Sequence, residues 1–188
     1  MLQGLYNLYN FRKLRWDNFF MQVRIVRVID DEIVIAKIEV GRESELPSFS
    51  DGWRFDFKKN TKVERLKTYI LVCEETSGIV EGCLSFKMRG KTEPYMAYVE
   101  VAHHNQGENK KFDRVAGCLI AYACRLSFIH GEGDYKGWLA FDVLEIKKED
   151  EIKLMATYSI KYGALKFGKT TMVIPPETGE KLIEAFLK

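Results

Sequence analysis

Polar and apolar residues alternate over residues 22–28 (QVRIVRV), which puts Val23, Ile25 and Val28 on or near a buried side. Asp30 and Asp31 offer a turn, and residues 33–40 (IVIAKIEV) return, so the pattern predicts a β-hairpin. Three more strands follow, the first over residues 68–73 (TYILVC), ending at a turn around Thr76, Ser77 and Gly78. Gly82 interrupts the second, over residues 79–88, and predicts a bulge or a close approach there. The third, over residues 95–102 (YMAYVEVA), is apolar on both faces except at Glu100, the pattern of a central strand.

The period then changes. Val115, Cys118, Leu119, Tyr122, Ala123 and Leu126 recur at three- and four-residue spacing, which predicts an amphipathic helix over 114–130 with Asp113 as N-cap and Gly131 as stop. A strand over 135–143, a helix over 148–162 closed by Gly163, two short strands over 165–167 and 171–174, and a helix over 177–187 complete the order. Residues 41–60 are turn-rich yet carry Phe49, Trp53, Phe55 and Phe57, a set that either packs on the core or lines a cleft. No repeat or boundary divides the chain, so one domain is expected over 1–188, with a core at about 68–174, an N-terminal extension over 1–67 and the C-terminal helix.

Composition narrows the functional classes. The 188 residues are 46% hydrophobic and 30% charged, with a net charge of +2, so an anion site has to be local. Cys73, Cys83, Cys118 and Cys124 lie singly in apolar runs, as reduced core thiols do, and make neither a disulfide framework nor a metal motif. No segment reads as a membrane span or a cleaved leader, and a cytoplasmic protein is expected. Arg12, Lys13, Arg15 and Trp16, with Arg24 and Arg27, leave a nucleic-acid-binding module as a minor alternative that the charge balance counts against.

The informative unit is the strand over 95–102, the polar loop over 103–113 and the helix that follows. A helix start offers unpaired N–H groups and a positive dipole end, able to hold phosphate, and Lys110 and Lys111 stand just before it. The order of elements over 68–174 resembles the core of the GCN5-related N-acetyltransferases, in which a Q/R-x-x-G-x-G/A loop opens the helix after the fourth strand. Here the run is Lys111-Phe112-Asp113-Arg114-Val115-Ala116, with Lys111 at the Gln/Arg position, Arg114 at the first glycine and Ala116 at the second small residue. Further likeness to a small, divergent bacterial subgroup lies in residues 52–57, 80–82, 99–102, Asn105 and 124–128, in Tyr158 through Gly163-Ala164, and in residues 181–183.

The resemblance implies an α/β fold with a mixed central sheet flanked by helices and an added N-terminal hairpin. It implies an acetyl group moved from acetyl-CoA to an amine of a small molecule or protein, with no metal. On it, Lys111, Arg114, Val115, Ala116 and Gly117 hold the diphosphate, and Val101 and Ala102 pair with the pantetheine amides. Glu100 is the implied base, and Tyr158, ahead of Tyr162, the implied acid; His103 or His104 is an alternative proton relay. It also implies splayed strands whose far wall lies near Gly137 and Trp138. A catalytically silent domain that binds a ligand or protein is the competing reading, and the chain is expected as a monomer or homodimer.

Overall fold

The computed structural model describes residues 20–188. Arg12, Lys13, Arg15 and Trp16 lie outside the described residues. Strands β1 (Met21–Arg27) and β2 (Glu32–Val40) form the expected hairpin, with Val23, Ile25, Val34, Ala36 and Ile38 buried on one face. Val28 departs from expectation: it is 36% exposed, because β1 ends at Arg27 and the alternation stops with the ladder. The Arg27 guanidinium is bound by Asp30, Glu32 and Glu75, which explains a basic residue on this strand without a nucleic acid.

The turn-rich stretch holds an unexpected helix, α1 (Phe57–Val63). Asp56 caps it, accepting from the Lys59 N–H at 2.8 Å, and Phe57 is fully buried beneath it. Strands β3 (Lys67–Cys73), β4 (Gly82–Arg89) and β5 (Glu93–Val101) follow, then a two-residue strand, β6 (Phe112–Asp113). Helix α2 (Val115–His130), strand β7 (Leu139–Asp142), helix α3 (Lys148–Tyr162), strands β8 (Leu165–Lys166) and β9 (Thr171–Ile174) and helix α4 (Pro176–Leu187) complete the chain. The strand expected over 135–143 starts only at Leu139, since Gly133–Tyr135 forms a 3-10 turn.

The nine strands of the described residues make one mixed sheet in the order β6-β1-β2-β3-β4-β5-β7-β9-β8. The hairpin is continuous with it, β2 pairing antiparallel with β3, so the hairpin is part of the central sheet and not an appendage. Helices α2 and α4 cover one face over the larger core, while α1, Leu46, Trp53 and Phe55 cover Ile70 and Cys83 on the other. Helix α2 is buried nearly all round and not only along one stripe, because α4 packs on the side that the sheet leaves open. Gly82 answers to close packing: a Cβ there would meet Leu119 Cδ1 at 2.7 Å and Val115 Cγ1 at 2.9 Å. Among the described residues no helix is long and apolar enough to cross a membrane.

Candidate functional site

Strand β5 pairs with β4 along its whole length but meets β7 at a single parallel position, Tyr95 opposite Ala140. The β4–β5 register shifts between Ser85 and Phe86, which leaves Ala97 as an extra residue on β5. Such a bulge bends its strand. Beyond Tyr95 the two neighbours therefore part, and a cleft of about 230 Å³ opens between them. Tyr95 to Val99 form one wall, Phe141 to Glu145 the other, and Arg54, Phe55, Leu154 and Tyr158 close it. Gly137 and Trp138 are absent from this lining. The far wall comes from the residues after them because β7 starts late.

Ladder geometry decides which backbone groups face the gap. The Ala102 N–H donates to the Glu81 carbonyl at 2.9 Å, so Ala102 belongs to the β4 side. Antiparallel pairs alternate, which turns the backbone of Val99 and Val101 away from β4 and toward the gap. The Val101 carbonyl already accepts from Gln106 Nε2 at 2.8 Å, leaving its N–H directed to the slot. Of the two strand residues expected here, Val101 and not Ala102 turns its backbone toward the gap, and Val99 does the same.

The start of α2 is the second element of the site. Its N-cap is Arg114 and not Asp113, which is held in β6 opposite Val26. Arg114 adopts φ 72°, the left-handed conformation that a glycine supplies most easily. Its guanidinium lies over the Phe186 ring at 5.1 Å and donates to the Ala185 carbonyl, with its Nε buried and unpartnered. That side chain is thus turned to α4. Among the described residues no side chain caps the helix, and the first-turn amides of Val115, Ala116 and Gly117 have no intrahelical acceptor. Asp113 accepts from the Arg114 N–H at 2.7 Å and pairs with Lys110 at 2.8 Å, and these contacts hold its carboxyl below the usual range. Lys111 is exposed beside it, its ammonium 5.3 Å from the Phe112 ring.

A buried polar network fixes the loop that joins the two elements. The Glu81 carboxylate, fully buried, accepts from Thr76 Oγ1 and from Asn105 Nδ2 at 2.6 Å, and meets His104 Nε2 at 2.6 Å. Asn105 Oδ1 in turn accepts the Phe112 N–H at 3.0 Å. His104 is therefore engaged with Glu81, away from the cleft lining, and His103 is exposed on a 3-10 turn.

Of the expected catalytic pair, Tyr158 lines the cleft, whereas Glu100 lies on β5 past the lining residues and is held by residues 54–55. Glu100 is half-buried, and its oxygens accept from the Arg54 N–H at 2.8 Å and the Phe55 N–H at 3.1 Å. Tyr158 lines the cleft from α3 with its ring 4.8 Å from that of Phe141. Burial, followed by the neighbouring Tyr162, pushes its hydroxyl up to about 12, so it is protonated at neutral pH. Burial also pushes the Cys118 and Cys124 thiols up to about 12, which leaves neither as a nucleophile. Among the described residues no three His, Cys, Asp or Glu side chains gather as a metal site.

No family model matches the chain, and no curated protein matches it by sequence. Solved structures match by shape. The crystal structure of AtaTR bound with AcCoA is 16% identical, covers 79% of this chain and 98% of its own, and superposes with a TM-score of 0.52. A mutant of KacT is 12% identical over 78% of this chain and 98% of its own, with a TM-score of 0.51. Ard1 from Thermoplasma volcanium is 11% identical over 74% and 96%, also with a TM-score of 0.51.

Proposed function

We propose that this chain, whose fold is that of the GCN5-related N-acetyltransferases, moves an acetyl group from acetyl-CoA to an amine of a small molecule or protein. The observation that carries the reading is the gap between β5 and β7, lined by outward-facing strand backbone, in a fold whose next long helix, α2, starts without a cap from its own N-cap side chain. A solved structure of the same fold holds AcCoA. The residues here fit such a donor: the amides of Val115, Ala116 and Gly117 suit a diphosphate, and Lys111 adds positive charge. The backbone of Val99 and Val101 suits the amides of a pantetheine arm. Arg114 serves this site through its left-handed backbone while its side chain secures α4.

Acetyl-CoA, when bound, supplies an activated acyl thioester. The chain's part is to hold it, to take a proton from the acceptor amine and to give one to the departing sulfur. Glu100 supports the first transfer, directly or through a water, using the lone pairs that the Arg54 and Phe55 amides leave free. Tyr158, kept protonated by burial, supports the second. Four buried thiols suit a reducing cytoplasm.

The doubly occupied Glu100 carboxylate favours a second reading, in which it only anchors residues 54–55 and the domain binds a ligand without turnover. Thiol release across a panel of amines separates the two. Tyr158→Phe and Glu100→Gln should each lower turnover by about 10²-fold or more while acetyl-CoA still binds. Binding without thiol release for any amine, in the unaltered chain, would establish the silent reading.

A further inference from the structure

One residue touches both walls of the cleft. The backbone N–H of Arg54 is held by Glu100 on the β5 side. Its guanidinium reaches the β7 side, donating to Glu145 Oε1 at 2.6 Å and to the Leu144 carbonyl at 3.1 Å. Phe55 takes the second Glu100 oxygen and sets its ring 4.9 Å from that of Tyr98, while Trp53 meets Phe57 edge-on at 5.7 Å. Residues 53–55 thus form a strap across the gap, pinned at one end by a carboxylate on a rigid strand. At the other end it is pinned by the ion pair to Glu145 and the bond to the Leu144 carbonyl, with the Arg54 side chain 49% exposed. Solvent screens such a pair, so that end opens at low cost while the Glu100 end holds.

Resting on the acyltransferase reading, we propose that Arg54 is a positioning residue: latched to Glu145, it draws the strap over the gap and keeps bulk water from the thioester; released, it admits the acceptor. The fault that the latch prevents is hydrolysis. Water adds through oxygen to the acyl carbon, the carbon–sulfur bond breaks, sulfur keeps the electron pair, and acetate, CoA thiolate and protons result. Arg54 and Glu145 also act on Tyr158 in opposite senses, the guanidinium favouring its ionised form and the carboxylate its neutral form, with Tyr162 adding to the latter.

The test uses the full chain and two readouts. With Trp16→Phe and Trp138→Phe in place, acrylamide quenching of Trp53 reports the strap, and thiol release from acetyl-CoA without added amine reports water entry. Arg54→Ala and Glu145→Ala should each raise quenching and raise thiol release several-fold per bound acetyl-CoA, with affinity by calorimetry changed less than twofold. The swap Arg54→Glu with Glu145→Arg should restore both, which loss of folding in a single variant would not allow. Unchanged quenching overturns the latch. Raised quenching with unchanged thiol release on bound acetyl-CoA overturns the water-excluding role. If no form binds acetyl-CoA, the acyltransferase reading falls and this role for Arg54 falls with it, whereas Trp53 quenching still decides whether the latch exists.

Discussion

Arg114 stands at φ 72°, where a side chain costs about 1–2 kcal/mol against glycine. Its contacts with Phe186 and the Ala185 carbonyl offset that strain. Replacing the side chain separates the two effects. Arg114→Ala loses the contacts and keeps the strain, whereas Arg114→Gly loses the contacts and relieves it. Urea unfolding should place the glycine variant about 1 kcal/mol above the alanine variant. Equal stabilities would show that the backbone here is unstrained. Asp142 offers a pH test on the cleft wall. Burial raises its carboxyl, but hydrogen bonds from Thr171, Tyr95 and Thr170 and the charge of Arg89 outweigh burial and leave it depressed. A depressed acid contributes stability above its unfolded value, about 3.9, and loses it as pH falls through the folded value. Asp142→Asn should therefore cost about 2 kcal/mol at pH 7, and the gap should close in unfolding measured under acid conditions below that range.

Strand–loop–helix is the element that makes the site, and the loop between is set by side chains remote in sequence. Asn105 joins Glu81 to the Phe112 backbone, so it fixes where α2 begins. Asn105→Ala leaves a buried carboxylate oxygen and a buried N–H without this partner, and thermal or urea unfolding should show a loss of about 2–4 kcal/mol. The helices α2, α3 and α4 were legible because each is long enough for its period to show, and Gly163 marks the end of α3 with φ 62°. Helix α1 was not, since seven residues give two turns and too few repeats to set it apart from the aromatic loop around it. Strand β6 escaped for a related reason: two residues carry no alternation, and only pairing with β1 defines them. That pairing also claims Asp113 and moves the cap to Arg114, a tertiary preference overriding a good local cap. The alternation over β5 showed a central strand with one acid, but not that Glu100 would be bound to the amides of Arg54 and Phe55, which lie 46 and 45 residues away.

For the molecule as a whole, the sheet is continuous from β6 to β8 except where β5 and β7 share one bridging position. The strands on either side were readable from apolar runs. Their divergence was not, because it follows from a register shift that leaves Ala97 extra on β5 and from the single bridge to β7, neither of which alters the hydrophobic pattern. The proposed donor would lay its extended amide arm in this gap and its diphosphate at the start of α2. Comparing acetyl-CoA with S-acetyl-pantetheine, which lacks the diphosphate and the adenosine 3′-phosphate beyond it, probes the helix start. In isothermal titration, acetyl-CoA should bind, and acetyl-pantetheine should bind weaker by about tenfold or more, as expected when an anion is lost from a helix N-terminus. Equal affinity for the two, or heat from neither, would contradict a diphosphate held by the amides of Val115, Ala116 and Gly117.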